Sequence, residues 1–314
     1  MTGESFPAID ARPRHFLEVT DLTPVELTGV LDLAERPLDL VPRVLDGKGV
    51  ALLFEKPSTR TRHSSEVAVI QLGGHPVTTR ADEVGLDERE STEDVTRTLQ
   101  CYHAAICARV FDHRKLERMA AVARVPVINL LSDVGHPLQT VADLLTLRQC
   151  FGRLQGLRIA WIGDFSNVAR SLALGATMVG ATVAVSTPPG YGPTMADHDL
   201  IALHGGRLEM HRRPADAVED ADCVVTDAWY SMGQESEKQA RAQAFEGYTV
   251  NSALLAFANP EAVFLHCLPA HRGQEVTDDV LDGPQSRIWP EAENRLHAAR
   301  AVLAFVLTQA GVGS

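Results

Sequence analysis

The chain has 314 residues, of which 45% are hydrophobic and 22% are charged, and its formal net charge is −12. This length favours two domains over one, and the composition is that of an ordinary globular protein. The negative charge argues against non-specific binding to nucleic acid or to acidic membrane surfaces, so an anionic ligand would need a local cluster of arginines.

The sequence also bears on where the protein works. No apolar stretch is long enough to span a bilayer, and residues 1–14 lack the pattern of a secretory signal. The five cysteines form no Cys-x-x-Cys pair, and an odd, unpatterned set predicts free thiols in a reducing cytoplasm. The twelve histidines are scattered without metal-ligand spacing, so the sequence predicts no metal site.

Short apolar runs alternate with segments of helical periodicity along most of the chain. Because such alternation is typical of parallel sheets covered by helices, the sequence predicts an α/β fold with two doubly wound parallel-sheet domains. The predicted strands are 49–54, 75–79, 104–110 and 125–129 in the first half, and 157–162, 181–187, 222–226 and 262–267 in the second.

A long helix marks the border between the two halves. It is predicted over 137–151, with Pro137 in its first turn and Gly152 directly after it. Further along, the polar and charged segment 230–248 predicts a loop. The resulting domains are 1–150, 151–290 and a C-terminal helix, 291–314, that returns to the first domain.

The motif Ser58-Thr59-Arg60-Thr61 lies between the strand 49–54 and a segment of helical spacing. Free N–H groups and the positive end of a helix dipole make such a junction an anion site, and hydroxyl and guanidinium groups add donors suited to phosphate. Taken alone, the motif is equally compatible with a simple N-cap flanked by solvated arginines.

Polar side chains follow six of the predicted strands at their carboxyl ends, where open parallel sheets bind their ligands. Because the six clusters are divided between the two halves of the chain, they predict a cleft between two domains. The clusters are 58–61, Arg109, 132–139, 164–167, 227–233 and 266–269.

Five motifs occur in a fixed order along the chain. Three of them are Phe54-x-Lys56-x-Ser58-Thr59-Arg60-Thr61-Arg62, His136-Pro137-x-Gln139 with Ala142-Asp143, and His266-Cys267-Leu268-Pro269. The other two are Asp227-x-Trp229-x-Ser231-Met232-Gly233 and Glu291-Ala292-Glu293-Asn294-Arg295. The first three resemble the carbamoyltransferases, and the whole set is similar to the ornithine branch of the aspartate/ornithine carbamoyltransferase family. The similarity runs from about Arg14 to about Leu307.

This resemblance implies a reaction in which carbamoyl phosphate and L-ornithine give L-citrulline and phosphate, as part of arginine metabolism. It implies that the first domain binds carbamoyl phosphate, that the second binds ornithine, and that no cofactor or metal takes part. It also implies a homotrimer with active sites at the subunit interfaces, because heterologous contacts can close into a three-fold ring.

The resemblance also assigns roles to residues. Arg109, His136 and the Thr61 hydroxyl would polarise the carbonyl oxygen and stabilise the oxyanion that forms there. Gln139 and the backbone carbonyl of Leu268 would hold the carbamoyl amide. The catalytic residues are then Cys267, Arg109 and His136. The residues that bind carbamoyl phosphate are Ser58, Thr59, Arg60, Thr61, Arg109, His136, Gln139, Cys267, Leu268 and Arg295.

The amine of ornithine must lose a proton before it attacks. A lysine-like amine has a pKa of about 10.4, so its deprotonation at pH 7 costs roughly 4.6 kcal/mol. Because a carboxylate beside it would favour the ammonium form, Asp227 is assigned to the α-amino end, together with Asn167, Ser231 and Met232. Cys267 is expected beside the reacting amine. The ordinary pKa of a thiol is about 8.5, and nearby arginines would help the thiol to accept a proton.

The chain departs from the family pattern at four positions. Ser65 replaces a phenylalanine, Leu130 a glycine and Ser166 an asparagine, and Gly85 replaces a glutamine that reaches carbamoyl phosphate from the neighbouring subunit. Two alternatives therefore stay open: a carbamoyltransferase for another amine, such as a modified ornithine or a diamine, and a non-catalytic carbamoyltransferase-like subunit. A nucleotide-binding protein is disfavoured because the second domain lacks Gly-x-Gly-x-x-Gly.

Overall fold

The computed structural model describes residues 13–230 and 238–309. The first sheet consists of β1 (Gly49–Phe54), β2 (His75–Arg80), β3 (His103–Arg109) and β4 (Val127–Leu131), in the order β2-β1-β3-β4. The second consists of β5 (Arg158–Ile162), β6 (Thr182–Ser186), β7 (Leu208–His211), β8 (Cys223–Val225) and β9 (Val263–Leu265), in the order β7-β6-β5-β8-β9. All pairings are parallel, and the predicted doubly wound α/β fold is confirmed.

Helices connect the strands. In the first domain they are α1 (Pro24–Glu35), α2 (Thr59–Gln71), α3 (Ala81–Val84), α4 (Thr92–Leu99), α5 (His113–Val122) and α6 (Pro137–Phe151). In the second they are α7 (Asn167–Met178), α8 (Met195–Leu203), α9 (Pro214–Val218), α10 (Lys238–Ala244), α11 (Ser252–Leu255) and α12 (Asp278–Leu281). In the described ranges 13–230 and 238–309, no helix is both long and apolar enough to cross a membrane.

The last helix, α13 (Ile288–Gln309), joins the two domains. It begins beside the second sheet and packs on α1, α2 and α6 of the first domain, as predicted. Arg300 of this helix is almost completely buried, and its guanidinium donates to Gln71 Oε1 at 2.9 Å and to the Ala34 carbonyl at 3.1 Å. The C-terminal helix is therefore held by buried polar contacts as well as by its apolar face.

One strand was missing from the sequence prediction, and one predicted loop was wrong. The strand β7 was not predicted, because Leu208–His211 has only one fully buried residue and lies at the edge of its sheet. The polar segment 230–248 was predicted as a loop, but Lys238–Ala244 forms α10. Residues 231–237 lie outside the described part of the chain.

A close approach of α6 and α7 brings the two domains together. Gly175 of α7 faces Thr140 of α6, and a Cβ at Gly175 would lie well inside contact distance of Thr140 Cγ2. Gly175 and its surroundings are fully buried. The packing of the two domains therefore depends on the absence of a side chain at this position.

We expect Gly175→Ala to lower the free energy of unfolding by about 1–3 kcal/mol, because the added methyl group overfills the contact between α6 and α7. The matched control is Gly29→Ala, which also replaces a helical glycine but has open space around it. Gly29→Ala should raise stability by up to about 1 kcal/mol. Urea unfolding of both variants measures the difference, and a Gly175→Ala protein as stable as the parent would contradict it.

Candidate active site

A cleft with a volume of about 980 Å³ opens between the two domains, at the carboxyl ends of both sets of strands. Among the side chains predicted from the sequence, Gln139 is not part of its lining, and Ser231 and Met232 lie outside the described residues. The predicted residues that do line the cleft are Ser58, Thr59, Arg60, Thr61, Arg109, His136, Asn167, Asp227, Cys267, Leu268 and Arg295.

One wall of the cleft is the amino-terminal end of α2. Ser58 caps this helix by accepting a hydrogen bond from the Thr61 backbone N–H at 3.3 Å. The buried Thr61 hydroxyl oxygen accepts one hydrogen bond from Arg109 at 3.2 Å and another from Arg295 at 3.0 Å. Because both acceptor positions of the hydroxyl are used, its proton is free to be donated to a ligand.

Positive charge is concentrated around this hydroxyl. Burial, followed by the nearby Arg295, lowers the pKa of Arg109 to about 10, so the guanidinium remains protonated at neutral pH. Lys56 also lines the cleft, and its ammonium lies 4.2 Å from the centre of the Phe111 ring. The sequence motif contained Lys56, but its place in the cleft was not predicted.

His136 carries no charge at neutral pH. Its pKa lies well below the ordinary value because of burial, and the charges of Arg295 and Arg109 lower it further. Among the described residues, its buried Nδ1 has no hydrogen-bond partner. A neutral imidazole at this position can act as a hydrogen-bond donor in the cleft without adding to the positive charge.

Gln139 is buried behind the cleft wall. Its amide nitrogen donates to Asp143 Oδ1 at 2.7 Å and to Glu291 Oε1 at 2.9 Å, and its amide oxygen accepts a hydrogen bond from Arg295. The expected contact with a carbamoyl amide is therefore not prepared in this structure. Gln139 instead links α6 to α13 and orients Arg295 toward Thr61.

Asp143 and Glu291 are buried carboxyl groups in contact with each other, and the sequence did not predict a role for either. Burial raises the pKa of Asp143 to about 7 and that of Glu291 well above its ordinary value, and in Glu291 the neighbouring Asp143 adds to the effect. The pair therefore keeps a proton. Asp143 follows Gln139 by four residues on one helix face, and this spacing was the available signal.

Glu291 also reaches the opposite side of the cleft. Its second oxygen accepts a hydrogen bond from the backbone N–H of His266 at 2.9 Å, one residue before Cys267. A continuous set of buried contacts thus runs from this backbone through Glu291 and Gln139 to Arg295. These contacts fix two walls of the cleft relative to each other.

The thiol of Cys267 lies beside Asp227 at this second wall. Its Sγ donates to Asp227 Oδ1 at 3.3 Å. Burial raises the pKa of the thiol well above its ordinary value, and the charge of Asp227 raises it further. The expectation that arginines would prepare Cys267 to accept a proton was therefore wrong, because burial and neighbouring carboxylates dominate.

Asp227, His266 and Cys267 form the one group of three metal-ligating side chains found among the described residues, with ligand atoms within 4.8 Å of one another. However, His266 Nδ1 accepts the backbone N–H of Leu268 at 2.9 Å, and its Nε2 lies 3.4 Å from Glu275 Oε1. Because burial raises the pKa of the thiol and a backbone N–H already occupies His266 Nδ1, the cluster is poorly prepared for a metal.

We call the Thr61 hydroxyl, with Arg109 and Arg295 around it, the anion cradle. The fold and the cleft define a class of two-domain α/β proteins in which such a cradle faces a carboxylate and a thiol of the second domain. Residues 14–149 match the family model described as "Aspartate/ornithine carbamoyltransferase, carbamoyl-P binding domain", and residues 155–306 match "Aspartate/ornithine carbamoyltransferase, Asp/Orn binding domain". The chain belongs to the aspartate/ornithine carbamoyltransferase family.

Individual relatives agree with this assignment. The chain is 49% identical to an ornithine carbamoyltransferase of Acidothermus cellulolyticus over 95% of this chain and 98% of the relative. It is 45% identical to an anabolic ornithine carbamoyltransferase of Pyrococcus furiosus, over 94% of this chain and 96% of the relative. A solved ornithine carbamoyltransferase structure from Pyrococcus furiosus superposes with a TM-score of 0.88 at 44% identity, covering 94% of this chain and 97% of that chain.

The proton held by Asp143 and Glu291 predicts a pH-dependent stability. Between about pH 4 and about pH 7 the folded protein keeps a proton that the unfolded chain releases, so stability falls as the pH rises through this window. We expect the stability of Asp143→Asn to depend less on pH over this window. The amide oxygen of the asparagine still accepts a hydrogen bond from Gln139, and its amide nitrogen can donate to Glu291 at every pH.

Urea unfolding at a series of pH values measures this effect. Asp39→Asn, a change at an exposed position, is the matched control and should leave the pH profile of the parent unchanged. Asp143→Ala should instead lose about 1–3 kcal/mol, because the Gln139 amide would lose an acceptor in a buried site. Identical pH profiles for the parent and Asp143→Asn would contradict the shared proton.

Proposed function

We propose that the protein transfers the carbamoyl group of carbamoyl phosphate to the side-chain amine of L-ornithine, giving L-citrulline and phosphate. The observation that carries the proposal is the convergence of Arg109 and Arg295 on the Thr61 hydroxyl, directly across the cleft from Asp227 and Cys267. The first domain then binds carbamoyl phosphate and the second binds the amino acid.

On the donor side, the phosphate lies at the amino-terminal end of α2, where backbone N–H groups and the residues 58–61 meet. The carbonyl oxygen lies near Arg109, His136 and the Thr61 hydroxyl. Negative charge develops on this oxygen when the amine attacks, and the donors stabilise it without having to reorganise. The carbon–oxygen bond to phosphate then breaks with its electron pair on the phosphate oxygen, and the proton that the attacking nitrogen gives up passes to the departing phosphate.

On the acceptor side, Asp227 and Asn167 face the amino acid. Asn167 donates to the Ser132 carbonyl at 2.6 Å, so its amide is already held against the first domain. Asp227 attracts the cationic substrate, while Arg109 and Arg295 lower the pKa of the amine by repulsion and favour its reactive neutral form. The protonated Cys267 thiol lies beside Asp227 and positions the amine by a hydrogen bond instead of removing its proton.

The purified protein should form citrulline from carbamoyl phosphate and L-ornithine. Arg109→Ala should lower kcat by roughly 10²–10³-fold, because it removes one donor to the carbonyl oxygen. Arg114→Ala is the matched control, since Arg114 is an exposed arginine paired only with Asp112 among the described residues.

A panel of N-acetylornithine, putrescine and aspartate tests which amine the protein accepts. Turnover with another amine but not with ornithine would contradict the proposal, and binding without any turnover would favour a non-catalytic subunit.

A homotrimer with active sites at its subunit interfaces is part of the proposal. Val67 and Ile70, one helical turn apart on α2, are exposed apolar side chains, with Ile70 57% exposed. Exposed apolar residues grouped in this way are typical of protein interfaces. The heterologous contacts of a three-fold ring would bury this patch.

Sedimentation should therefore give a particle of about three times 34.1 kDa. Ile70→Glu should dissociate it, because a charge would be buried in the contact. Leu203→Glu, at an exposed position of the second domain, should leave the mass unchanged. A monomer in the parent protein would contradict the assembly.

We also place the protein in the cytoplasm and in the biosynthetic direction of arginine metabolism. Cys101 and Cys150 are exposed free thiols, which fit a reducing compartment. The biosynthetic direction rests on the relative from Pyrococcus furiosus that is named anabolic.

A further inference from the structure

Two histidines that are far apart in the sequence meet across a glycine of the first sheet. Gly49, the first residue of β1, is paired with His75 of β2 on one side and with His103 of β3 on the other. A Cβ at Gly49 would lie 2.8 Å from His103 Nδ1 and 3.0 Å from His75 Nε2. The two ring nitrogens therefore converge on the space that the missing side chain leaves open.

Neither the fold nor the cleft accounts for this arrangement. His103 Nδ1 is buried and has no hydrogen-bond partner within the described part of the chain. An imidazole nitrogen without a protein partner is a common ligand of metal ions. His75 is exposed, so the pair can be reached from solvent.

We propose that His75 and His103 form a site for a divalent transition-metal ion such as Zn²⁺ or Ni²⁺. Imidazole nitrogens suit these ions and bind Zn²⁺ at about 2.0–2.1 Å. In the ranges 13–230 and 238–309, no third His, Cys, Asp or Glu joins the pair, so water completes the coordination. Mg²⁺ and Ca²⁺ are excluded because they prefer oxygen ligands.

The site is separate from the active-site cleft. Gly49 and Phe54 stand at opposite ends of β1, about 17 Å apart at the usual rise of a strand, and the cleft opens at the carboxyl end. A bound ion would connect the edge strand β2 to β3 across β1. It would therefore stabilise the first sheet without entering the catalytic chemistry.

Thermal unfolding of the full chain with Zn²⁺ tests the proposal. The unfolding midpoint should rise by roughly 5 °C when free Zn²⁺ exceeds its Kd by about 100-fold, and EDTA should reverse the rise. His75→Ala and His103→Ala should each abolish the rise, whereas His63→Ala, at an exposed position of α2, should keep it. Mg²⁺ should have no effect in any of these proteins, and citrulline formation by the two variants without metal should equal that of the parent.

Two further variants make the result specific. Gly49→Ala keeps both histidines but fills the space between them, so it should also abolish the rise with Zn²⁺. Cys267→Ser removes the thiol of the cluster in the cleft and should retain the rise. A rise that persists in both histidine variants, or that disappears only in Cys267→Ser, would overturn the proposal, and so would no rise in the parent.

Discussion

Two guanidinium groups share one hydroxyl oxygen at Thr61, and much of the surrounding structure offsets the repulsion between them. Arg295 is buried and Arg109 is partly buried, and like charges repel more strongly there than in water. His136 stays neutral, and the carboxyl pair behind Gln139 supplies negative charge close to Arg295. The remaining positive charge faces the cleft. In a chain with a net charge of −12, this arrangement confines the attraction for an anion to one place.

Local patterns in the sequence predicted the parts of the site that lie at strand ends. Apolar runs located eight of the nine strands of the described residues, and the rule that ligands bind beyond the carboxyl ends of parallel strands brought the clusters together. The strand Leu208–His211 was not predicted, because an edge strand needs few apolar residues. Burial was the harder property to predict, since it depends on residues far away in the chain.

Gln139 and Cys267 show this limit most clearly. Their motifs were recognised, but the sequence does not reveal that Glu291 from the last helix packs against both regions. Burial raises the pKa of Cys267 and the nearby carboxylates raise it further, although nearby arginines favoured the opposite expectation. The scattered histidines are a similar case, because only the register of the sheet brings His75 and His103 to the same glycine.

Because Arg295 lies on α13, the site around Thr61 is completed late in the synthesis of the protein. The anion cradle receives Thr61 from the first domain early in translation, but its second guanidinium comes from a helix that is made almost last. Domains generally fold as units in the order in which they leave the ribosome. A nascent first domain therefore lacks the Arg295 side of this site, and the pair of guanidinium groups around Thr61 forms only after nearly the entire chain has emerged.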